Sequence, residues 1–153
     1  MRKLQGVQGR IVYVYVLLMG LFHLYTAAAG NFEAYLQRTL HLTWVLPLAF
    51  ILFPATSRSP KDRVPVYDWI IALISTIPGI YGILTSPLIT ERIQQVDPLT
   101  TLQIVLGTML VVFLLEATRR IVGIPLAMIA LLSILYMIFC HKMSGIMQGY
   151  EFS

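Results

Sequence analysis

The chain has 153 residues, 58% of them hydrophobic and only 12% charged, with a mean hydropathy of +0.78. Soluble domains hold roughly 45–50% apolar and about 25% charged residues, so a water-soluble enzyme, a disordered chain and a secreted disulfide scaffold are excluded. Cys140 is the single cysteine, which removes an internal disulfide and a thiolate metal site; the net charge of +4 reads as a determinant of membrane orientation rather than as a nucleic-acid footprint.

At about 20 residues per crossing, the composition predicts an all-α integral membrane bundle. It would be a single membrane domain over residues 1–153 with about five transmembrane helices. Continuous apolar runs, rather than short alternating ones, exclude a β-barrel.

The first run, Ile11–Ala29, follows Arg2, Lys3 and Arg10 and ends in Ala27-Ala28-Ala29-Gly30, which resembles a signal cleavage site. It is longer than the usual 7–15 apolar residues of a signal core, so it is expected to stay as a signal anchor; cleavage would leave four spans. The second run, Ala34–Phe53, carries Arg38 and His41 near its start and is closed by Pro54. A basic loop, Ser57–Pro65, leads to the third, Val66–Leu84, with Asp68 and Trp69 in its first turn and Ser75, Gly79 and Gly82 on one face. That small-residue spacing suits close helix packing. Thr90–Gln95 is expected as a short interfacial helix, and Asp97-Pro98 introduces the fourth run, Leu99–Leu115. Glu116–Arg120 is then a tight turn into the fifth, Ile121–Cys140; a re-entrant last pair would again give four spans.

Basic residues alternate between the connections. Arg2, Lys3, Arg10, Arg58, Lys61, Arg63, Arg119 and Arg120 lie on one side, against Arg38, Arg92 and Lys142 on the other, 8 to 3. The positive-inside rule then gives a cytoplasmic N-terminus and an external C-terminus.

Candidate chemistry is sparse. No Asp, Glu, Lys or Arg sits near the centre of a run, and the interruptions at Pro47, Pro78-Gly79 and Gly123/Pro125 form no symmetric pair of the kind that builds a transporter's solute site. Catalytic motifs are absent, so the chain reads as no enzyme. His23 and His41 stand about 9 and 10 Å below the outer membrane face, at 1.5 Å per residue. Two imidazoles at matched depth could ligate a haem, and they equally suit polar contacts between neighbouring helices. The densest polar cluster is at Glu116–Arg120. Glu116 and Arg120 are spaced i,i+4 in the favourable order for an ion pair, and Arg119 is expected to point elsewhere, free for phospholipid headgroups or another subunit.

The stretch LEATRRIVGIPLAMIALLSILYMIF, Leu115–Phe139, resembles the LEATRR-x-x-G-x-x-L segment of tripartite ATP-independent periplasmic (TRAP) transporter permeases, in particular the fused permeases of the TAXI subclass. Asp68-Trp69-Ile70, the Pro-Gly-x-Tyr of Pro78–Tyr81, Arg38-x-x-His41-Leu42 and Asp97 fit in the expected order over roughly residues 35–150. The resemblance implies the small-subunit-like region of an inner-membrane secondary transporter, either a separate small subunit or the N-terminal part of a fused permease. Its partners would be a large permease subunit or fused domain, a periplasmic solute-binding protein and membrane lipid, with no nucleic acid. The chain itself would bind no cofactor or metal, with sodium used by the large subunit. Glu116, Arg119, Arg120, Asp68, Trp69, Gly79 and Gly82 would then be subunit-interface or packing residues. The alternatives are a haem-binding membrane anchor of a respiratory complex, resting on His23 and His41, and a small membrane protein with an unrelated assembly role.

Overall fold

In lipid the backbone has no partner but itself, so each apolar run closes its hydrogen bonds as helix. The computed structural model describes residues 1–30, 32–56, 58–93 and 97–142, and among them there is no strand. The helices are α1 (Gly6–Ala29), α2 (Ala34–Leu52), α3 (Val66–Leu84), the short α4 (Ser86–Thr90), α5 (Thr101–Ile121) and α6 (Ile124–Phe139), followed by a 3-10 turn at Cys140–Lys142. Among the described residues, four helical segments are long and apolar enough to cross a membrane: α1, α3, α5, and α6 continued to Lys142. The protein is an all-helical membrane bundle.

The remaining long helix, α2, is the polar one, its first half carrying Gln37, Arg38, Thr39, His41 and Thr43. It is also the most enclosed. Leu46, Leu48, Ala49, Phe50 and Ile51 form most of the buried core, joined by Ala72 of α3 and Ala117 of α5. Packed against α3 and α5, α2 keeps Gln37, Thr39 and Thr43 partly covered by protein, the cheaper arrangement for polar groups in a bilayer, while Arg38 and His41 stay exposed. Its closest neighbour is α3, while α6 packs chiefly on α5. α1 stands off from α2 and reaches it through side chains: the Tyr15 hydroxyl donates to the Trp44 carbonyl at 3.1 Å, and the two rings lie 5.0 Å apart.

Successive long helices alternate in direction. The N-termini of α1, α3 and α6 and the C-termini of α2 and α5 gather at one end, where the Arg2 amide donates to Leu52 at 2.8 Å and the Lys3 amide to Lys61 at 2.9 Å. This basic end collects the charge-rich connections, as the alternation along the sequence requires.

Several boundaries differ from expectation. α1 begins at Gly6, so Arg10 lies inside it. α5 begins at a capping box: the Gln103 amide donates to Thr100 Oγ1 at 3.3 Å and the Thr100 amide to Gln103 Oε1 at 2.9 Å. Pro98 therefore precedes the cap instead of starting the helix. At its other end α5 continues through Ile121, so Glu116–Arg120 is the last turns of a helix and not a turn. The chain breaks at Val122-Gly123, where Gly123 takes φ +119°, a conformation L side chains rarely adopt. The short helix is Ser86–Thr90, ahead of the expected Thr90–Gln95, of which Gln94 and Gln95 lie outside the described residues. The expected external C-terminus, Ser153, lies outside them as well.

Candidate functional site

Three of the helix ends gathered at the basic end build the site, and each brings a partial charge. The C-terminus of α2 presents carbonyls, the first turn of α3 presents positive dipole, and the last turn of α5 presents negative dipole. The sequence answers all three: Asp68 lies in the first turn of α3, Arg119 and Arg120 in the last turn of α5, and guanidiniums face the carbonyls of α2.

Asp68 is the hub. Its side chain is fully buried, Oδ2 accepting from Arg2 Nη2 and Oδ1 from Arg120 Nη1, the latter at 2.7 Å. Arg2 is fully buried too; its Nη1 donates to the Phe50 and Ile51 carbonyls at 3.0 and 2.8 Å, and its Nε to Pro60 at 3.1 Å. Arg120, only 2% exposed, also bonds Glu116 at 2.7 Å and lies over the Phe50 ring, 5.0 Å from its centroid. The expected i,i+4 pair is therefore present.

Arg119 differs from expectation. It does not point away from the pair: Nε and Nη2 grip both Glu116 oxygens at 2.7 Å, and Nη2 also donates to the Ala55 carbonyl at 3.0 Å. At i,i+3 from Glu116 on a helix, it shares that residue's face. Two arginines thus flank one glutamate, and the run expected as a tight turn is a brace joining α5 to the chain following α2 and to α3.

The packing candidates lie further along the α2–α3 contact. A Cβ at Gly79 would fall inside the Thr43 side chain, and one at Gly82 would stand 3.0 Å from Thr39 Cγ2 and 3.1 Å from the Tyr35 hydroxyl oxygen. With Ser75 buried on the same face, these small residues allow the two backbones to approach. Trp69 is half-buried against the core, and with Val12, Tyr15 and Pro47 it lines an apolar cleft between α1 and the α2–α3 pair. Asp68 and Trp69, adjacent in sequence, therefore face different neighbours.

The histidines come together: His23 Nε2 and His41 Nδ1 are 2.8 Å apart, with the rings edge to face. His23 Nδ1 lies 2.7 Å from the Met19 carbonyl, which only accepts, so Nδ1 donates there. Axial ligands at about 2 Å from a metal would stand about 4 Å apart across it, so the present arrangement is a hydrogen bond between helices. Thr26 and Gln37 extend this polar seam, the Gln37 amide nitrogen 3.4 Å from Thr26 Oγ1. Among the described residues no group of three or more His, Cys, Asp or Glu could hold a metal ion.

Arg2 was not among the expected interface residues. A basic residue ahead of a first span reads as an orientation signal, and its partner lies 66 positions away. Charged side chains of the long helices all lie within about two turns of a helix end, so the buried ion pairs sit at one end of the bundle and not at the middle of its helices. What the site can do is mechanical: it fixes helix ends to one another. No family model, curated protein or solved structure matches this chain.

Proposed function

We propose that this chain is the static small membrane subunit, or small-subunit-like region, of a TRAP-type secondary transporter of the TAXI kind. It supports ion-gradient-driven uptake of a solute delivered by a periplasmic binding protein. The observation that carries the reading is that the LEATRR run, on which the family resemblance rests, supplies the brace that ties α5 to the α2 end and, through Asp68, to α3 and Arg2. A moving transport domain needs a part of the assembly that stays fixed in the bilayer, and a bundle stapled at one end by buried ion pairs suits that role.

In this reading the chain is no enzyme and binds no cofactor; the solute and the coupling sodium belong to the large permease subunit or fused domain. It resides in the inner membrane with the basic end, and so the N-terminus, in the cytoplasm. The long apolar faces of α1 and α6, including Leu17, Leu21, Leu24, Ile129 and Leu132, are exposed in the isolated chain and are available to lipid and to the large subunit.

The test is gentle detergent extraction from the native membrane followed by mass spectrometry of what accompanies the chain. A multi-span permease at a fixed ratio, or one longer polypeptide containing this sequence, is the expected result. Recovery of redox subunits, or of the chain alone, would overturn the proposal.

A further inference from the structure

The ion cluster is not neutral. Arg2, Arg119 and Arg120 face Asp68 and Glu116, three guanidiniums to two carboxylates. Arg2 and Arg120 are sealed from the surroundings, while the Arg119 side chain is 37% exposed. The surplus positive charge therefore reaches the surface at Arg119. Its Nη1 has no hydrogen-bond acceptor among the described residues, whereas Nε and Nη2 are engaged.

Arg119 also stands at the head of a groove between α5 and α6. The walls are Val112 and Leu115 on α5 and Ile124, Ala127, Met128 and Leu131 on α6, with Glu116 and Arg119 at the basic end. Glu116 does not repel an anion there as a free carboxylate would, because both of its oxygens accept from arginines. The groove runs along two helices apolar enough to span the membrane, so its apolar length lies at hydrocarbon depth and its charged head at the interface. Such a groove is amphipathic in the same sense as a phospholipid, and the charge at its head selects among headgroups.

We propose that the α5–α6 groove is a binding site for one anionic phospholipid, its phosphate on Arg119 Nη1 and an acyl chain along the groove. This goes beyond the transporter reading and does not depend on it.

The experiment is native mass spectrometry of the full chain, purified and depleted of lipid, then exposed to phosphatidylglycerol or phosphatidylcholine with identical acyl chains. The preference expected for phosphatidylglycerol is about fivefold, the factor corresponding to about 1 kcal/mol per basic side chain at an anionic surface. Arg119→Gln should remove that preference. Arg58→Gln, on an exposed loop residue away from the groove, should keep it. Ala127→Phe leaves the ion cluster untouched and fills the groove, and should weaken retention of both lipids even if Arg119→Gln proves misfolded. Equal retention of the two lipids by the unaltered chain would overturn the proposal. So would a preference surviving Arg119→Gln in folded protein, retention surviving Ala127→Phe, or displacement of the lipid by excess inorganic phosphate.

Discussion

Replacing Asp68 with Asn removes one charge and almost no volume, and it tests whether the basic end is held electrostatically. Asp68 and Arg2 are both fully buried and Arg120 is 2% exposed, so water can compensate neither guanidinium once the carboxylate is gone. Breaking a buried pair by removing one partner costs about 3–5 kcal/mol. Arg2 would keep the Phe50, Ile51 and Pro60 carbonyls and Arg120 would keep Glu116, which places the expected loss near the lower bound, ~3 kcal/mol. Reversible unfolding of the purified chain in mixed detergent micelles, followed by the fluorescence of Trp44 and Trp69, gives this value. The reasoning also fixes a coupling. Because Arg2 and Asp68 share one ion pair, Arg2→Met combined with Asp68→Asn should fall short of the sum of the single effects by roughly 1–3 kcal/mol. An Asp68→Asn cost under about 1 kcal/mol, or strict additivity with Arg2→Met, would refute the buried cluster as the staple.

The glycine face gives a graded contrast. Gly79→Ala forces its Cβ into Thr43 and should destabilise by about 1–3 kcal/mol, whereas Gly107, with nothing within 4 Å of a built Cβ, should tolerate Ala or gain up to ~1 kcal/mol, both read from the same unfolding curves. Thr100→Ala removes the α5 capping box and should cost about 1 kcal/mol, with faster amide exchange confined to the first turn of that helix. For the histidine seam, the purified protein should show no Soret absorption; a Soret band that disappears in His23→Ala would restore the haem-anchor reading and displace the scaffold one.

Much of this arrangement could be read from the sequence because it is local. Hydropathy located the long helices, since a continuous apolar run has one way to satisfy its backbone in lipid. The Glu116–Arg120 pair and the Ser75, Gly79, Gly82 face followed from helical spacing alone. The extension of α5 was missed because charged residues after an apolar run resemble a loop. The better signal was the lack of a helix stop before Gly123, together with arginines suited to the last turn of a helix. The polarity of α2 was visible, but its central position was not, because burial depends on which neighbours surround a helix. Arg2 was least legible of all. Nothing near it distinguishes an orientation charge from a buried partner, and Asp68 becomes its counter-ion only once α2 and α3 have brought the chain back to the same end.

That return path has a consequence for biosynthesis. Arg2 emerges from the ribosome 66 positions ahead of its counter-ion Asp68, and Arg120 follows a further 52 positions later. At 5–20 residues per second, Arg2 waits roughly 3–13 s for Asp68 and about as long again, somewhat less, for Arg120. During that interval the first helix is held at the membrane by its apolar length and by headgroups around its basic start, not by the bundle. Arg2 is thus made well before either of its side-chain partners, and it can dock only after α2, α3 and α5 have returned the chain to the same end.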